Sequence, residues 1–399
     1  MDFSVVALSV EDREFLERAQ RFLATHVTEE LLRREHQTGD GFIEELHLAM
    51  GADGWLEPET KSSADGGFTP VQRRIWDLER RRAQVPLERW GSTTMILQAV
   101  RRYGSAELLA EVMPGVYDGT VRFAMGYTEP EGGSDIATCR TRAERDGDQW
   151  VINGQKMFTS GAHICQYVFL LTNTDPGGRR HHNLTMFLAP LTTPGIEIQG
   201  LRTVDGERTN ITYYSDVRVA DRYRLGDVND GWTVLNGPLS AEHGARGPDP
   251  HGLAEISIMS GFGTTMASGA DAVAATVGQS GPAQHRPLDD ASVAYRFGRA
   301  FARIEAAQST PGIFGRVAIA QTMREVAPEL MDVLGPASAL SANTRGAVAG
   351  GATEYLYRWA PLIGIYGGTI DVFRNMIAQH VLGLGRPNYS PPKSESRGG

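Results

Sequence analysis

The sequence predicts an α+β protein in which a β-rich middle segment separates two helical segments. Apolar residues recur at helical spacing in the first third of the chain, alternate with polar residues between about Val121 and Val219, and return to helical spacing after Asn229 and Asp230. These changes of period divide the chain. The predicted parts are an N-terminal helical domain at 1–120, a middle β domain at 121–228, a C-terminal helical domain at 229–386 and a disordered tail at 387–399.

The first helix is predicted to begin after Ser9, which precedes the acidic residues Glu11 and Asp12 and an apolar stripe at helical spacing. Further helices are predicted at 43–50, 70–85 and 92–103. The turn-rich stretch 57–67 separates them. The Gly- and Ala-rich stretch 261–282 gives a weaker helical pattern.

The middle domain is predicted to consist of short strands. Their sequences are TVRFAMGYT, QWVING, KMFTS, YVFLLTN, LTMFLAP, IEIQGLR and TYYSDVRV. Asp146-Gly147 and Asn153-Gly154 are dipeptides that supply the positive φ of tight two-residue turns. The stretch from Phe123 to Gly161 is therefore predicted to be a β-meander with a turn at each dipeptide.

The bulk composition is that of an ordinary globular protein. Of the 399 residues, 41% are apolar and 22% are charged, and the formal net charge is −9. This acidic balance, without a cluster of basic and aromatic residues, argues against a nucleic-acid partner. The chain has no run of about 18 apolar residues and no basic N-terminal region, so we expect no membrane span and a cytoplasmic enzyme.

Two cysteines are present, Cys139 and Cys165. They lack CxxC spacing and have no paired histidines nearby in the sequence, so neither a disulfide framework nor a metal site is predicted. We expect both to be buried thiols.

The segment YTEPEGGSD, at 127–135, contains a candidate cofactor site. Thr128, Gly132, Gly133 and Ser134 offer hydroxyl groups and uncrowded backbone N–H groups. Such groups allow a phosphate or the edge of a flavin to approach closely. The alternative is that these residues only form turns.

Together with NGQKMFTSG at 153–161, this segment is similar to the two flavin-contacting motifs of the acyl-CoA dehydrogenase family, at the family's spacing. Near the C-terminus, YGGT at 366–369 and RNMIA at 374–378 stand where the family usually has YEGT and RNIIA. The resemblance covers nearly the whole chain, and three separated motifs are far more specific than one Gly-rich turn. It implies an N-terminal helical domain, a middle β-barrel-like domain and a C-terminal four-helix bundle.

The resemblance also implies a reaction. Family members remove the α-proton of an acyl thioester while a hydride leaves the β-carbon for a flavin. This reaction needs a carboxylate base in an apolar site and two hydrogen-bond donors to the thioester oxygen. For this chain, the resemblance implies FAD as the cofactor, an acyl-CoA as the substrate and an electron-transfer flavoprotein as the acceptor.

The family's catalytic base is not at its most common position. In many members the base is the Glu of YEGT, but this chain has Gly367 there. In another branch the Glu lies on an earlier helix, in a segment that matches Leu239 to His243. Glu242 is therefore the candidate base, although the family usually has Arg where His243 follows it.

The spacing of apolar residues before Glu242 supports this choice. Three of them share a helical face with the carboxylate: Trp232, Leu235 and Leu239. An acid on a buried face is costly unless it has a function or a partner. The alternative is that Pro238 and Gly244 end the helix and that Glu242 points into water.

Gly367 keeps the backbone N–H that in the family donates to the thioester oxygen, and a ribityl hydroxyl of the flavin is the family's other donor. The absence of a side chain leaves space beside the α-carbon, which favours a bulky or branched acyl group. Ser134 and Tyr366 are the predicted substrate contacts. A simple loop that needs positive φ would explain Gly367 and Gly368 equally well.

The matched positions imply a set of FAD contacts. At the ring edge and the pyrophosphate these are Met125, Tyr127, Thr128, Gly133 and Ser134. Over the ring they are Phe158, Thr159 and Ser160, and from the C-terminal side they are Thr369 and Asp371. Considered without the motifs, most of these residues would be assigned to turns or to the core.

One motif of oligomeric family members has a different spacing here. They usually clamp a neighbouring subunit's flavin with an RxxFG segment, and the nearest string in this chain is Arg296-Phe297-Gly298. This resembles actinobacterial heteromeric acyl-CoA dehydrogenases of steroid side chains, in which one subunit has the base and its partner supplies the arginine. A homo-oligomer that binds the adenosine end through other groups is the alternative.

Three other functions stay open on the sequence alone. One is the dehydrogenation of an acyl or aminoacyl thioester on a carrier protein in a biosynthetic pathway. Another is a flavin-dependent monooxygenase of the same fold, which needs no carboxylate base, so that Glu242 argues against it. The last is a redox-silent structural subunit whose partner does the chemistry.

Overall fold

The computed structural model describes residues 7–86, 88–242, 258–279, 286–342 and 344–385. The described residues divide into two compact units, one containing 7–242 and the other containing 258–385. The tail predicted at 387–399 lies outside the described residues. Within the described ranges, no helix is both long and apolar enough to cross a membrane.

Helices of the first unit lie before and after its β-rich segment. Their bounds are Val10–His26 (α1), Glu29–Thr38 (α2), Glu44–Ala52 (α3), Leu56–Glu59 (α4), Pro70–Arg82 (α5), Glu88–Tyr103 (α6), Ala106–Asp118 (α7) and Gly231–Glu242 (α8). The Ser9 hydroxyl caps α1 by accepting a hydrogen bond from the Asp12 N–H at 3.1 Å, as predicted. The three further helices predicted in this region are confirmed as α3, α5 and α6, whereas the sequence analysis did not identify α2 and α7.

The strands of the first unit form one mixed sheet. They are Phe123–Gly126 (β1), Arg142–Asp146 (β2), Gln149–Lys156 (β3), Tyr167–Asn173 (β4), Leu184–Pro190 (β5), Ile196–Arg202 (β6), Arg208–Ala220 (β7) and Arg224–Leu225 (β8). In the described part of the chain their order is β6-β7-β3-β2-β4-β5-β8, and β1 pairs with β4 in parallel. Because α6 packs against β1, the start of the YTEPEGGSD segment is fixed to the helical layer.

The predicted turn at Asn153-Gly154 is wrong. Both residues lie inside β3, where the register with β7 shifts between Ile152 and Gly154. Gly154 has a φ of 147°, and a Cβ on it would lie 2.7 Å from the Cα of Thr141. The glycine therefore serves a close backbone approach at a bulge rather than a chain reversal.

The hairpin at Asp146-Gly147 is confirmed, since Asp146 pairs with Gln149 across the β2–β3 turn and Gly147 has a φ of 64°. The strand predicted for KMFTS is wrong, because β3 ends at Lys156 and the next residues leave the sheet. Phe158 there has a φ of 56°, which no regular strand contains.

The second unit is helical. Its helices are Ile258–Val277 (α9), Ala291–Gln308 (α10), Gly312–Leu334 (α11), Ala352–Trp359 (α12) and Ile370–Met376 (α13). Side chains of α9, α10, α11 and α12 share one apolar core, so the predicted four-helix bundle is confirmed. The Gly- and Ala-rich stretch is largely α9, where a Cβ on Gly269 would lie 2.2 Å from Cδ1 of Leu356. Small residues thus let α12 pack closely.

Candidate functional site

The two N-terminal motifs meet where β1 and β3 end. The backbone N–H of Met157 donates to the carbonyl oxygen of Thr128 at 2.8 Å. One residue earlier on each segment, the Lys156 ammonium group donates to the carbonyl oxygen of Tyr127 at 3.2 Å. The structure therefore brings together two segments that are about 30 residues apart along the chain, as the resemblance implied.

Below this junction lies a buried ion pair, which we call the Glu129–Lys156 brace. Lys156 is fully buried, and its Nζ lies 2.7 Å from Oε1 of Glu129. The same carboxylate accepts hydrogen bonds from the backbone N–H groups of Arg140 and Thr141 at 2.7 and 2.9 Å and from the Thr141 hydroxyl at 2.7 Å. Each charge is thus paired, and the carboxylate holds three segments of chain together.

Electrostatics keep the brace ionised. Burial alone would raise the pKa of the Glu129 carboxyl, but the Lys156 ammonium group and the hydrogen bonds from Lys156 and Thr141 hold this pKa at about 2. Neither residue was predicted to be a site residue. Both stand inside the quoted motifs, but 127–135 also contains Glu131 and Asp135, so the sequence does not show which of its acids pairs with Lys156.

Several residues at the end of β1 and in the two motifs keep exposed surface, and we call this set the ledge. Its members are Met125, Thr128, Gly133, Ser134, Phe158 and Ser160. The Phe158 ring is 53% exposed on a backbone of positive φ. A Cβ on Gly133 would meet only the Thr128 methyl group, at 3.6 Å, so the backbone there is open to a ligand.

Two predicted contacts of the ledge are instead buried. Tyr127 is 8% exposed and packs its ring edge to face with Phe169. Thr159 has no exposed surface, and its hydroxyl lies 3.3 Å from that of Thr212. In the structure their side chains support the ledge from inside the unit, and their contact with a cofactor stays a prediction.

A polar network fixes the 158–160 loop. Asn210 accepts from the Thr159 N–H at 2.9 Å and donates from its side chain to the Thr159 carbonyl oxygen at 3.1 Å. His163 connects this amide, at 3.1 Å, to Asp40 of the helical layer, at 2.9 Å. Asn210 and His163 were not predicted from the sequence, because no local pattern shows which distant side chains will meet.

The ledge has the chemical features that a flavin needs. It combines an exposed aromatic face at Phe158, hydroxyl groups at Thr128, Ser134 and Ser160, and an unhindered backbone at Gly133. A flat ring system can stack on the aromatic face, and a pyrophosphate can accept hydrogen bonds from hydroxyl and N–H groups. The residues present therefore fit FAD.

The third motif lies in the second unit, directly before α13. Gly367 and Gly368 have φ values of 63° and 93°, which a residue with a side chain rarely adopts. Thr369 caps α13 by accepting a hydrogen bond from the Val372 N–H at 3.2 Å. Asp371 is exposed and pairs with Arg374 at 3.2 Å. We call 366–369 the Gly-Gly loop.

A buried arginine that the sequence analysis missed holds this loop. Arg316 of α11 is 3% exposed and donates to the carbonyl oxygens of Ile363 and Tyr366, the latter at 2.7 Å. Trp359 donates from its indole N–H to the Tyr366 hydroxyl at 3.0 Å. The loop is therefore anchored both by its backbone and by its tyrosine ring.

The candidate base terminates α8. Leu235 is fully buried and Trp232 and Leu239 are half-buried, so the predicted apolar face is present. The helix continues past Pro238 to Glu242, so the proline does not end it. The side chain of Glu242 lies outside the described residues, as do His243 and Gly244, and the role of Glu242 stays a prediction.

Other sequence predictions can be located directly. Both cysteines are buried free thiols, and burial raises the pKa of each to about 11. Arg296 lies on α10 and pairs with Asp332 of α11 at 2.7 Å. The guanidinium nearest in sequence to the family's clamp is therefore engaged by a carboxylate of its own unit.

Comparison with known proteins identifies the family. The family model "Acyl-CoA dehydrogenase, middle domain" matches residues 124–218, and "Acyl-CoA dehydrogenase, C-terminal domain" matches residues 313–382. The chain is 30% identical over 292 residues to the acyl-CoA dehydrogenase IpdE1 of Mycobacterium tuberculosis, covering 71% of this chain and 72% of that protein. The chain belongs to the acyl-CoA dehydrogenase family.

Further similarities of this acyl-CoA dehydrogenase agree with that assignment. It is 38% identical to the acyl-CoA dehydrogenase FadE29 of Mycobacterium tuberculosis over 205 residues, which span 50% of this chain and 52% of FadE29. A chain of the ChsE4–ChsE5 complex from Mycobacterium tuberculosis superposes with a TM-score of 0.79 at 28% identity, covering 96% of this chain and 100% of that chain. The protein is thus an oxidoreductase with the α+β fold that the sequence predicted.

Proposed function

We propose that this acyl-CoA dehydrogenase uses FAD to convert a bulky or branched acyl-CoA into its trans-2-enoyl-CoA. The α-proton passes to the Glu242 carboxylate and the β-hydrogen leaves as a hydride, so that a C=C bond forms and one two-electron acceptor is reduced. The observation that supports this best is the convergence of the two motifs on an open, braced ledge with the features of a flavin site.

FAD is the cofactor that the ledge fits, and when bound it supplies the hydride acceptor. Phe158 offers the face on which the ring system stacks, and Thr128 and Ser160 offer hydroxyl groups at its edge. Ser134 and the open backbone at Gly133 suit the pyrophosphate. Thr369 and Asp371, matched by the C-terminal motif, are further proposed FAD contacts.

The base is tested by Glu242→Gln, which keeps the shape of the side chain but cannot accept the α-proton. Turnover should fall by about 10²–10⁴-fold while the amount of bound flavin stays the same. Anaerobic bleaching of the flavin by an acyl-CoA should slow equally. The matched control is Glu305→Gln, an exposed residue of α10, which should leave both rates unchanged. If an acyl-CoA bleached the flavin of Glu242→Gln at the wild-type rate, the base would be a residue other than Glu242.

Gly367 supports the choice of a bulky or branched acyl group. It stands where other members carry the carboxylate side chain, so the substrate rather than the protein fills that volume. The expected result is a higher kcat/KM for an α-branched or steroid-side-chain acyl-CoA than for a straight-chain acyl-CoA of equal carbon number. A higher kcat/KM for the straight-chain acyl-CoA would contradict the proposed preference for a bulky or branched acyl group.

An electron-transfer flavoprotein is the proposed acceptor, and a second dehydrogenase-like subunit is the proposed partner. The pairing of Arg296 with Asp332 supports the partner, because the arginine nearest in sequence to the family's clamp is engaged within its own unit, and a partner subunit would supply the missing arginine. The likeness to a chain of the ChsE4–ChsE5 complex points the same way. Co-purification of a stable complex with the product of a neighbouring dehydrogenase-like gene tests this.

A further inference from the structure

We infer that Arg316 is a positioning residue for the thioester oxygen, because it orients and polarises the peptide group that carries the Gly367 N–H. This inference rests on the proposed function, in which that N–H binds the oxygen where enolate charge develops. Arg316 does not touch the substrate in this scheme. It acts through the Tyr366–Gly367 peptide.

The geometry at Arg316 is specific. Its Nη2 donates to the Tyr366 carbonyl oxygen at 2.7 Å, and its Nη1 donates to the Ile363 carbonyl oxygen. The guanidinium lies over the rings of Phe262 and Phe373, at 5.0 and 5.3 Å from their centroids. These contacts hold the guanidinium group in one position, so the direction of both hydrogen bonds is set.

The bonded carbonyl belongs to the same peptide as the proposed donor. In a trans peptide the C=O of one residue and the N–H of the next lie in one plane and point in opposite directions. Fixing the Tyr366 oxygen against Arg316 therefore aims the Gly367 N–H away from the guanidinium. Gly367 is half-buried, and among the described residues its N–H has no hydrogen-bond acceptor, which agrees with its proposed role as the donor to the thioester oxygen.

The loop needs such an external support. Two consecutive glycines give the backbone more freedom than any other pair of residues, and an unheld peptide here could rotate. The Tyr366 side chain is also held, since its ring packs edge to face with Phe262 at 5.5 Å and its hydroxyl accepts a hydrogen bond from the Trp359 indole N–H. Arg316 then determines the remaining degree of freedom, the tilt of the peptide plane.

Arg316 also strengthens the donor. A charge-assisted hydrogen bond to a carbonyl oxygen draws electron density from the peptide nitrogen, and hydrogen bonds in a chain reinforce one another by about 10–30% each. In a buried site the positive charge also stabilises negative charge developing beyond the N–H. The effect is larger for the enolate than for the neutral thioester, so it lowers the barrier rather than the dissociation constant.

The test uses Arg316→Met, which removes the donors, and Arg316→Lys, which keeps the charge with a different geometry. The matched control is Arg299→Met on α10, whose side chain is half exposed and pairs with Glu329. The measurement is the infrared C=O stretch of an enoyl-CoA labelled with ¹³C at the thioester carbon and bound to the FAD-loaded enzyme. This signal reports polarisation of the carbonyl without any turnover.

The wild type and Arg299→Met should shift the bound C=O stretch to lower frequency than in solution. Arg316→Met should lose most of this shift, Arg316→Lys should keep part of it, and kcat in Arg316→Met should fall by about 10²–10³-fold with KM little changed. A C=O shift as large as that of the wild type, in either folded and flavin-loaded Arg316 variant, would overturn the role of Arg316 and leave the proposed function intact. If Arg316→Met does not fold, the result for Arg316→Lys decides. The absence of any shift in the wild type would instead overturn the Gly367 N–H as the donor to the thioester oxygen.

Discussion

The ledge and the Gly-Gly loop are each supported by a buried cation, but the two cations act on different partners. Lys156 pairs with the Glu129 carboxylate, which in turn accepts from Arg140 and Thr141. Arg316 donates to two backbone carbonyl oxygens. The first arrangement ties two other chain segments to the segment that carries Glu129, whereas the second sets the orientation of particular peptide groups.

This difference determines how much the free energy of unfolding should fall when Glu129 or Arg316 is replaced. Removing one member of a buried ion pair leaves an uncompensated charge, which is among the most destabilising changes in a protein. Removing a donor from carbonyl groups leaves neutral acceptors without a partner, which costs less per group. We therefore expect the ledge to respond mainly in stability, and the Gly-Gly loop mainly in catalysis.

The largest effect is expected for Glu129→Gln. It leaves Lys156 buried without a carboxylate, so the free energy of unfolding of the first unit should fall by about 3–5 kcal/mol. Chemical denaturation followed by circular dichroism measures the change. The control is Asp146→Asn, whose carboxylate pairs with Arg218 at 2.8 Å with both side chains more than half exposed. That variant should lose less than about 1 kcal/mol.

A smaller loss is expected for Arg316→Met, at about 1–3 kcal/mol of unfolding free energy in total, because the half-exposed loop lets water replace the arginine at one of the two carbonyl oxygens. The loss should appear in the second unit, as faster hydrogen exchange of the peptides that contain 363–371. Arg299→Met should leave this exchange unchanged. If Arg316→Met destabilised the protein more than Glu129→Gln does, the contrast between the two regions would be wrong.

The smallest expected effect is the pH dependence of the Glu129–Lys156 brace, which is absent near neutral pH and appears only in acid. The pKa of Glu129 is lowered from 4.5 to about 2, so its stabilisation is complete above about pH 4.5 and is lost as the pH falls towards 2. The carbonyl oxygens that Arg316 binds do not titrate in this range. Hydrogen exchange, corrected for its intrinsic pH dependence, should therefore rise between pH 5 and 3 in peptides containing 139–142. Equal acceleration at 363–371 would contradict this.

Much of the fold was accessible from local patterns. The Ser9 cap, the β2–β3 hairpin and the apolar face of α8 each depend on residues within about a dozen positions of one another. The failures are also local in origin. Asn153-Gly154 has the composition of a turn, but β7 pairs alongside it, and the close approach of Thr141 makes the glycine part of a bulge.

The sequence by itself determined the alternation of helical and β segments, the family motifs and the loss of the usual base at Gly367, because these are properties of neighbouring residues. The tertiary structure decided which groups support the motifs. Arg316 stands 50 residues before the carbonyl that it binds, and Asn210 stands 51 residues after Thr159. Only chain packing brings such pairs together, since hydrogen bonds depend on distance in space and leave no periodic trace in the sequence.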